Sequence, residues 1–134
     1  MLQTQTQSVT FTVDTKAHLV RLVGTRDPTL NELGALGSAI VADHAYRPDF
    51  DFLADCTAID EPPSAEYVHR FIDYLARNGD AMPKVRWAQV VQKGAAFGMA
   101  RMAGIMGAES LCDYRVFSDV HTAEYWLAGM AEPE

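Results

Sequence analysis

The chain has 134 residues, with 49% hydrophobic and 22% charged residues and a net charge of −7. That length and balance lead us to expect one globular domain over 1–134, with an ordered core over 8–129, able to build a core without disulfides or metals. The acidic charge and the lack of a basic cluster exclude a phosphate-backbone binder and argue against electrostatic docking on anionic lipid.

Val9, Phe11 and Val13 alternate with Thr10 and Thr12, the period of a half-buried strand. Asp14-Thr15-Lys16-Ala17 reads as a turn, and His18 to Val23 as the second strand of a hairpin that Gly24 ends. Asp27-Pro28 then starts a helix in this reading. The aspartate accepts from the free amides of the first turn, and proline has no amide to leave unpaired. Leu30, Leu33, Ile40 and Val41 form its apolar stripe, Gly34 and Gly37 allow close packing on a sheet, and Pro48 closes the segment.

Phe50 to Cys56 is a third strand, followed by the rigid polar loop Asp60-Glu61-Pro62-Pro63. Ser64 caps a helix through Arg77, with Val68, Phe71, Ile72 and Leu75 on one face and Gly79 beyond its end. Val85 to Gln92 is the fourth strand, Gly94 to Gly107 the third helix and Tyr114 to Phe117 the fifth strand. Ser118 or Asp119 caps the last helix, which turns Tyr125, Trp126 and Leu127 inward before a frayed end from Met130 to Glu134. The order is ββαβαβαβα, an α/β fold. Strands separated by single helices imply parallel pairing with right-handed crossovers, and the first hairpin adds an antiparallel edge to a five-stranded, mostly parallel sheet.

The residues carry few marks of chemistry. Cys56 and Cys112 are far apart and outside any CxxC pattern, which reads as two reduced, largely buried thiols. His18, His44, His69 and His121 lie on different elements without zinc-like spacing, so no metal is expected. No cofactor motif and no GxSxG elbow is present, and Lys93-Gly94 lacks the Walker A spacing. The polar N-terminus has no signal-peptide pattern and no apolar run is long enough to span a bilayer, so a cytoplasmic protein without a transmembrane segment is expected.

In an open α/β sheet ligands gather at the carboxyl ends of the strands. That rule selects a rim of Arg26 and Asp27, Asp55 and Thr57, Gln92 and Lys93, Ser118 and Asp119. Against it, Asp27 and Asp119 also read as helix caps, Thr57 as a turn residue and Lys93 as solvated. The third helix is apolar almost all round. Phe97, Met99, Met102 and Met106 stand among alanines and glycines, a flexible and polarizable surface. Such a helix is either buried against the sheet or in a dimer interface, or it covers an apolar pocket or meets a lipid surface.

Several segments resemble the bacterial SpoIIAA-like family, whose fold is of the STAS type. These are Phe52-Leu53-Ala54-Asp55, the joint Lys93-Gly94-Ala95-Ala96-Phe97-Gly98-Met99-Ala100-Arg101-Met102, and Tyr114-Arg115-Val116-Phe117-Ser118-Asp119 leading to Ala123-Glu124-Tyr125-Trp126-Leu127. The resemblance covers nearly the whole chain. It implies a small regulatory or binding module, and a likeness to CRAL-TRIO lipid-transfer domains. Phosphorylated STAS switches carry Asp-Ser-Ser-Gly or Asp-Thr-Ser-Gly after the third strand. Here Asp55 to Ser64 lacks that run, and Asp60 and Glu61 would repel an added phosphate. Thr57 and Ser64 are the hydroxyls placed nearest, with Ser64 read as a cap.

The sequence therefore leads us to expect a non-enzymatic module that holds a small apolar or amphipathic ligand, a lipid included, near helix 94–107. Asp55, Thr57, Lys93, Phe97, Met99, Met102, Met106 and Asp119 are its candidate site. The alternative is a STAS-type protein-interaction module acting as a homodimer, with peripheral membrane contact compatible with either. A third reading makes Asp55, Lys93 and Asp119 the centre of an enzyme.

Overall fold

The computed structural model describes residues 8–78, 85–108 and 112–129. The strands are β1 (Val9–Asp14), β2 (Leu19–Gly24), β3 (Asp51–Asp55), β4 (Arg86–Val90) and β5 (Asp113–Phe117). The helices are α1 (Leu30–Ala42), α2 (Ala65–Asn78), α3 (Ala95–Ala103), which runs into a π-helical turn at Gly104–Ala108, and α4 (Val120–Leu127). The strands form one five-stranded mixed sheet in chain order, with β1 and β2 antiparallel and every later pair parallel.

Sequential strand order decides where the helices lie. Right-handed crossovers that always step the same way put their helices on the same face of the sheet. Accordingly α1, α2 and α3 share one face, over Leu22, Phe52, Ala54, Trp87 and Tyr114. Helix α4, which follows β5, folds onto the opposite face, over Leu53, Ala88, Val90 and Phe117. The parallel registers agree. Val20, Phe52, Trp87 and Tyr114 align across one face, and Arg21, Leu53, Ala88 and Arg115 across the other.

The α4 face is closely packed. Ala123 is fully buried, so the helix backbone can approach the sheet, and the Trp126 ring lies 5.6 Å from that of Phe117. Arg115 and Arg86 stack on the same indole, with guanidinium carbons 4.9 and 5.5 Å from the ring centroid. Arg86 also donates to the carbonyls of Trp126 and Leu127 at 2.8 and 2.7 Å, closing the C-terminal end of α4. Asp119 caps the other end by accepting from the Thr122 amide at 2.9 Å. Of the three aromatic and aliphatic residues expected to point inward on α4, Trp126 is buried and Leu127 half-buried, while Tyr125 is 46% exposed. An eight-residue helix has room for one buried stripe, and Ala123 and Trp126, three apart, define it.

Four further expectations need correction. Helix α1 begins at Leu30 with Thr29 as its cap, and neither Asp27 nor Pro28 opens it. The Glu32 amide donates to Thr29 Oγ1 at 3.1 Å and the Thr29 amide to Glu32 Oε1 at 2.8 Å. This reciprocal pair satisfies two amides where Asp27 would satisfy one. The apolar stripe of α1 is thinner than its composition implies: Ile40 is buried, but Val41 is 72% exposed. Gly34 makes its close approach to Tyr74 of α2 rather than to the sheet, since an added Cβ would lie 3.0 Å from the tyrosine oxygen. The third helix is shorter than 94–107, its α-helical part ending at Ala103. At Gly107 the backbone presses on Ile72 of α2, where an added Cβ would fall 2.6 Å from Cγ2. Gly79, and the end from Met130 to Glu134, lie outside the described residues.

Candidate functional site

The three helices on one face do not close onto the sheet. A cavity of about 230 Å³ remains between them. Its floor is Leu22, Ala54, Trp87 and Tyr114 on the strands, and its roof is Leu33 and Leu36 of α1, Val68, Phe71 and Ile72 of α2, and Met99, Ala100 and Ala103 of α3. Rings prop the layers apart. Phe52 stacks at 4.9 Å on Trp87 of the floor, and Tyr67 and Phe71 stand 6.1 Å apart on α2 above it. The Tyr114 hydroxyl donates to the Ala100 carbonyl at 2.9 Å, which sets the height of α3 over β5.

The lining is otherwise buried or half-buried and is exposed at Arg26 and Glu61, so the cavity meets solvent there. Both residues follow the carboxyl ends of β2 and β3, where open α/β sheets gather ligands. Asp27, Ile59 and Pro63 complete this mouth.

Most polar atoms of the lining are engaged with one another. The Trp87 indole N–H donates to Gln89 Oε1 at 2.9 Å, and Gln89 Nε2 donates to Cys56 Sγ at 3.4 Å. Burial pushes the Cys56 thiol up to about 11, so it stays protonated and unreactive at neutral pH. The Tyr67 hydroxyl donates to the Pro28 carbonyl at 2.6 Å, tying α2 to the segment that enters α1. Burial also raises the Tyr67 phenol above its ordinary range, with the charge of Asp27 the next cause. Arg26 grips Glu32 with both guanidinium nitrogens, at 3.1 and 2.8 Å. That grip is the largest cause holding the Glu32 carboxyl down at about 2, and the buried Ser8 hydroxyl adds a bond at 3.1 Å.

Asp27 differs from these groups. Among the described residues no side-chain or backbone donor reaches its carboxylate, and burial raises its pKa. Because Thr29 caps α1, Asp27 is released to line the cavity mouth.

The residues selected from sequence are placed as follows. Met99 lines the cavity. Phe97 and Met102 are half-buried on α3 outside the lining, and the side chain of Met106 lies outside the described part of the structure. Asp55 Oδ1 accepts from the Thr57 hydroxyl at 2.6 Å and its amide at 3.1 Å, so both residues are spent on their own turn. Lys93 is exposed, and Asp119 serves α4. Gly94 takes φ 92°, a conformation that favours glycine and accounts for that residue at the α3 entrance. The cavity residues that sequence reasoning missed are Tyr67, Trp87, Gln89 and Cys56. They sit on three separate segments, α2, β4 and the turn after β3, and only Trp87 and Gln89, two apart on β4, share a spacing. Asp27 was visible on the strand-end rim, and the T-x-x-E run from Thr29 to Glu32 was the signal that it is not the cap.

Among the described residues no helix is long and apolar enough to cross a membrane. Compared with known proteins, the chain matches no protein family, no curated protein and no solved structure.

Proposed function

We propose that this protein is a binding module for a small apolar or amphipathic molecule held between the sheet and helices α1 to α3. The cavity carries this reading. It is apolar on its floor and roof, polar at one mouth, and roofed in part by the Met/Ala surface of α3. Its size bounds the ligand. About 230 Å³ exceeds the roughly 150 Å³ that takes a benzene-sized guest, and falls short of the roughly 300 Å³ at which drug-sized pockets begin. A single-ring or short-chain body fits that space, whereas a long acyl chain requires the helices to part. The resemblance to the SpoIIAA-like family supports a binding or regulatory role, and the ββαβαβαβα element order is compatible with it.

The test uses Trp87, which lies on the cavity floor. In a Trp126→Phe background its fluorescence reports the cavity alone. Titration with benzyl alcohol or a short-chain alcohol is expected to change that signal saturably, and Ala100→Phe is expected to abolish the change by filling the space. A flat response to every small apolar probe, with nothing retained in native mass spectrometry, refutes the reading.

A homodimeric interaction module is the second reading. The exposed Ile105 at the end of α3, 79% accessible, favours it. Sedimentation at micromolar concentration tests it, and a clean monomer removes it.

A further inference from the structure

We propose that the ligand of this cavity is a small amine, its ammonium group seated on Asp27 and its apolar body beneath α3. This rests on the cavity-binding reading above and names the ligand class.

Four charged side chains stand at the mouth or border it: Arg26, Asp27, Glu32 and Glu61. Arg26 and Glu32 form a two-pronged pair and offset one another. Asp27 and Glu61 remain, so the entrance carries net negative charge. The nearby acids are each occupied: Asp55 by Thr57 and Asp60 by Gln92 at 3.3 Å. The Asp27 carboxylate accepts no hydrogen bond among the described residues, Arg26 reaching only its backbone carbonyl at 3.5 Å, although it lines a largely apolar cavity. Burial is the main cause of the raised pKa values of Tyr67 and Cys56, and the charge of Asp27 adds to both.

The donors tell against an anionic head. The Tyr67 hydroxyl proton goes to Pro28, the Trp87 N–H to Gln89, and a Gln89 N–H to Cys56. A carboxylate or phosphate entering the mouth would therefore face Asp27 and Glu61 with few donors to receive it. An ammonium brings three donors and a positive charge to a half-buried carboxylate that lacks both. Hydrogen bonds to a charged group are the stronger kind, and a partly buried site screens them less than open solvent.

The experiment compares three probes with one ring each: benzylamine, benzyl alcohol and benzoate, titrated at neutral pH into the full chain carrying Trp126→Phe. Benzylamine is expected to bind about tenfold tighter than benzyl alcohol, and benzoate weakest of the three. In Asp27→Asn the amine should lose that advantage, while the affinity for benzyl alcohol changes less than about threefold. Asp27→Ser repeats the test with a smaller polar group should the asparagine variant fold poorly. If benzyl alcohol binds but the amine binds no tighter, or if the amine keeps its advantage in both variants, the ammonium assignment is wrong and the cavity reading survives. If none of the three binds, both fail together.

Discussion

One sheet here presents two faces that are packed by opposite means. On one face a single eight-residue helix, α4, closes onto the strands and buries Ala123 and Trp126 against them. On the other, helices of 13, 14 and 9 residues leave about 230 Å³ unfilled. The number of helices does not decide the packing. Side-chain size at the contact does. Ala123 lets α4 settle against Ala88 and Val90, and Trp126 fills the remaining space between Phe117 and two arginines. Across the sheet, Tyr67 and Phe71 face Trp87 and Tyr114, and rings on both sides hold the layers apart. Close packing serves stability, and the propped face keeps room for a guest.

The largest expected effect tests the packed face. Trp126→Ala removes the centre of that cluster and should cost about 3–5 kcal/mol, read as a drop in the denaturation midpoint. A loss below about 1 kcal/mol would show that the α4 face is not the denser one.

The sharpest contrast comes from adding the same atoms to both faces. Ala123→Leu overpacks a fully buried position and should destabilise by about 1–3 kcal/mol. Ala100→Leu points new methyl groups into the cavity and should be neutral or stabilising by up to about 2 kcal/mol, while blocking ligand. Equal losses from the two substitutions would erase the distinction between the faces. Gly107→Ala asks how firmly the end of α3 is held. Its Cβ would lie 2.6 Å from Ile72 Cγ2, and a loss of about 1–3 kcal/mol is expected by chemical denaturation.

Smaller effects separate the cap from the site. Thr29→Ala should cost about 1 kcal/mol, whereas Asp27→Ala should stay within about 0.5 kcal/mol because it breaks no hydrogen bond. The reverse ranking would restore Asp27 as the cap of α1. The Arg26–Glu32 pair adds a pH signature. The Glu32 carboxyl falls from 4.5 to about 2 on folding, chiefly through Arg26. A depressed folded pKa means that its contribution is full above about pH 4.5 and lost as pH falls through about 2. The gap in melting temperature between the protein and Glu32→Gln should therefore close over that interval.

The strand and helix order was legible because each element is written in a short local period: alternation in Val9 to Val13, a 3.6-residue stripe in Val68, Phe71 and Ile72, a glycine at the left-handed entrance of α3. Local chemistry also settled Ser64, whose hydroxyl accepts from the Tyr67 amide at 3.0 Å as a cap should. Asp27 shows where local reading stopped. Asp-Pro and Thr-x-x-Glu are both credible helix starts, two residues apart. The choice between them also rested on Arg26 and Ser8 meeting Glu32, one of them 24 residues away.

The amino-acid sequence by itself determined the element order and the parallel pairing, because these follow from period and turn chemistry along the chain. Only the tertiary structure decided which face would hold a space. That space depends on how far rings on Tyr67, Phe71, Trp87 and Tyr114 keep two layers apart, a distance between segments that no local pattern encodes. The same long-range packing converted Asp27 from an expected helix cap into an unpaired carboxylate at the cavity mouth.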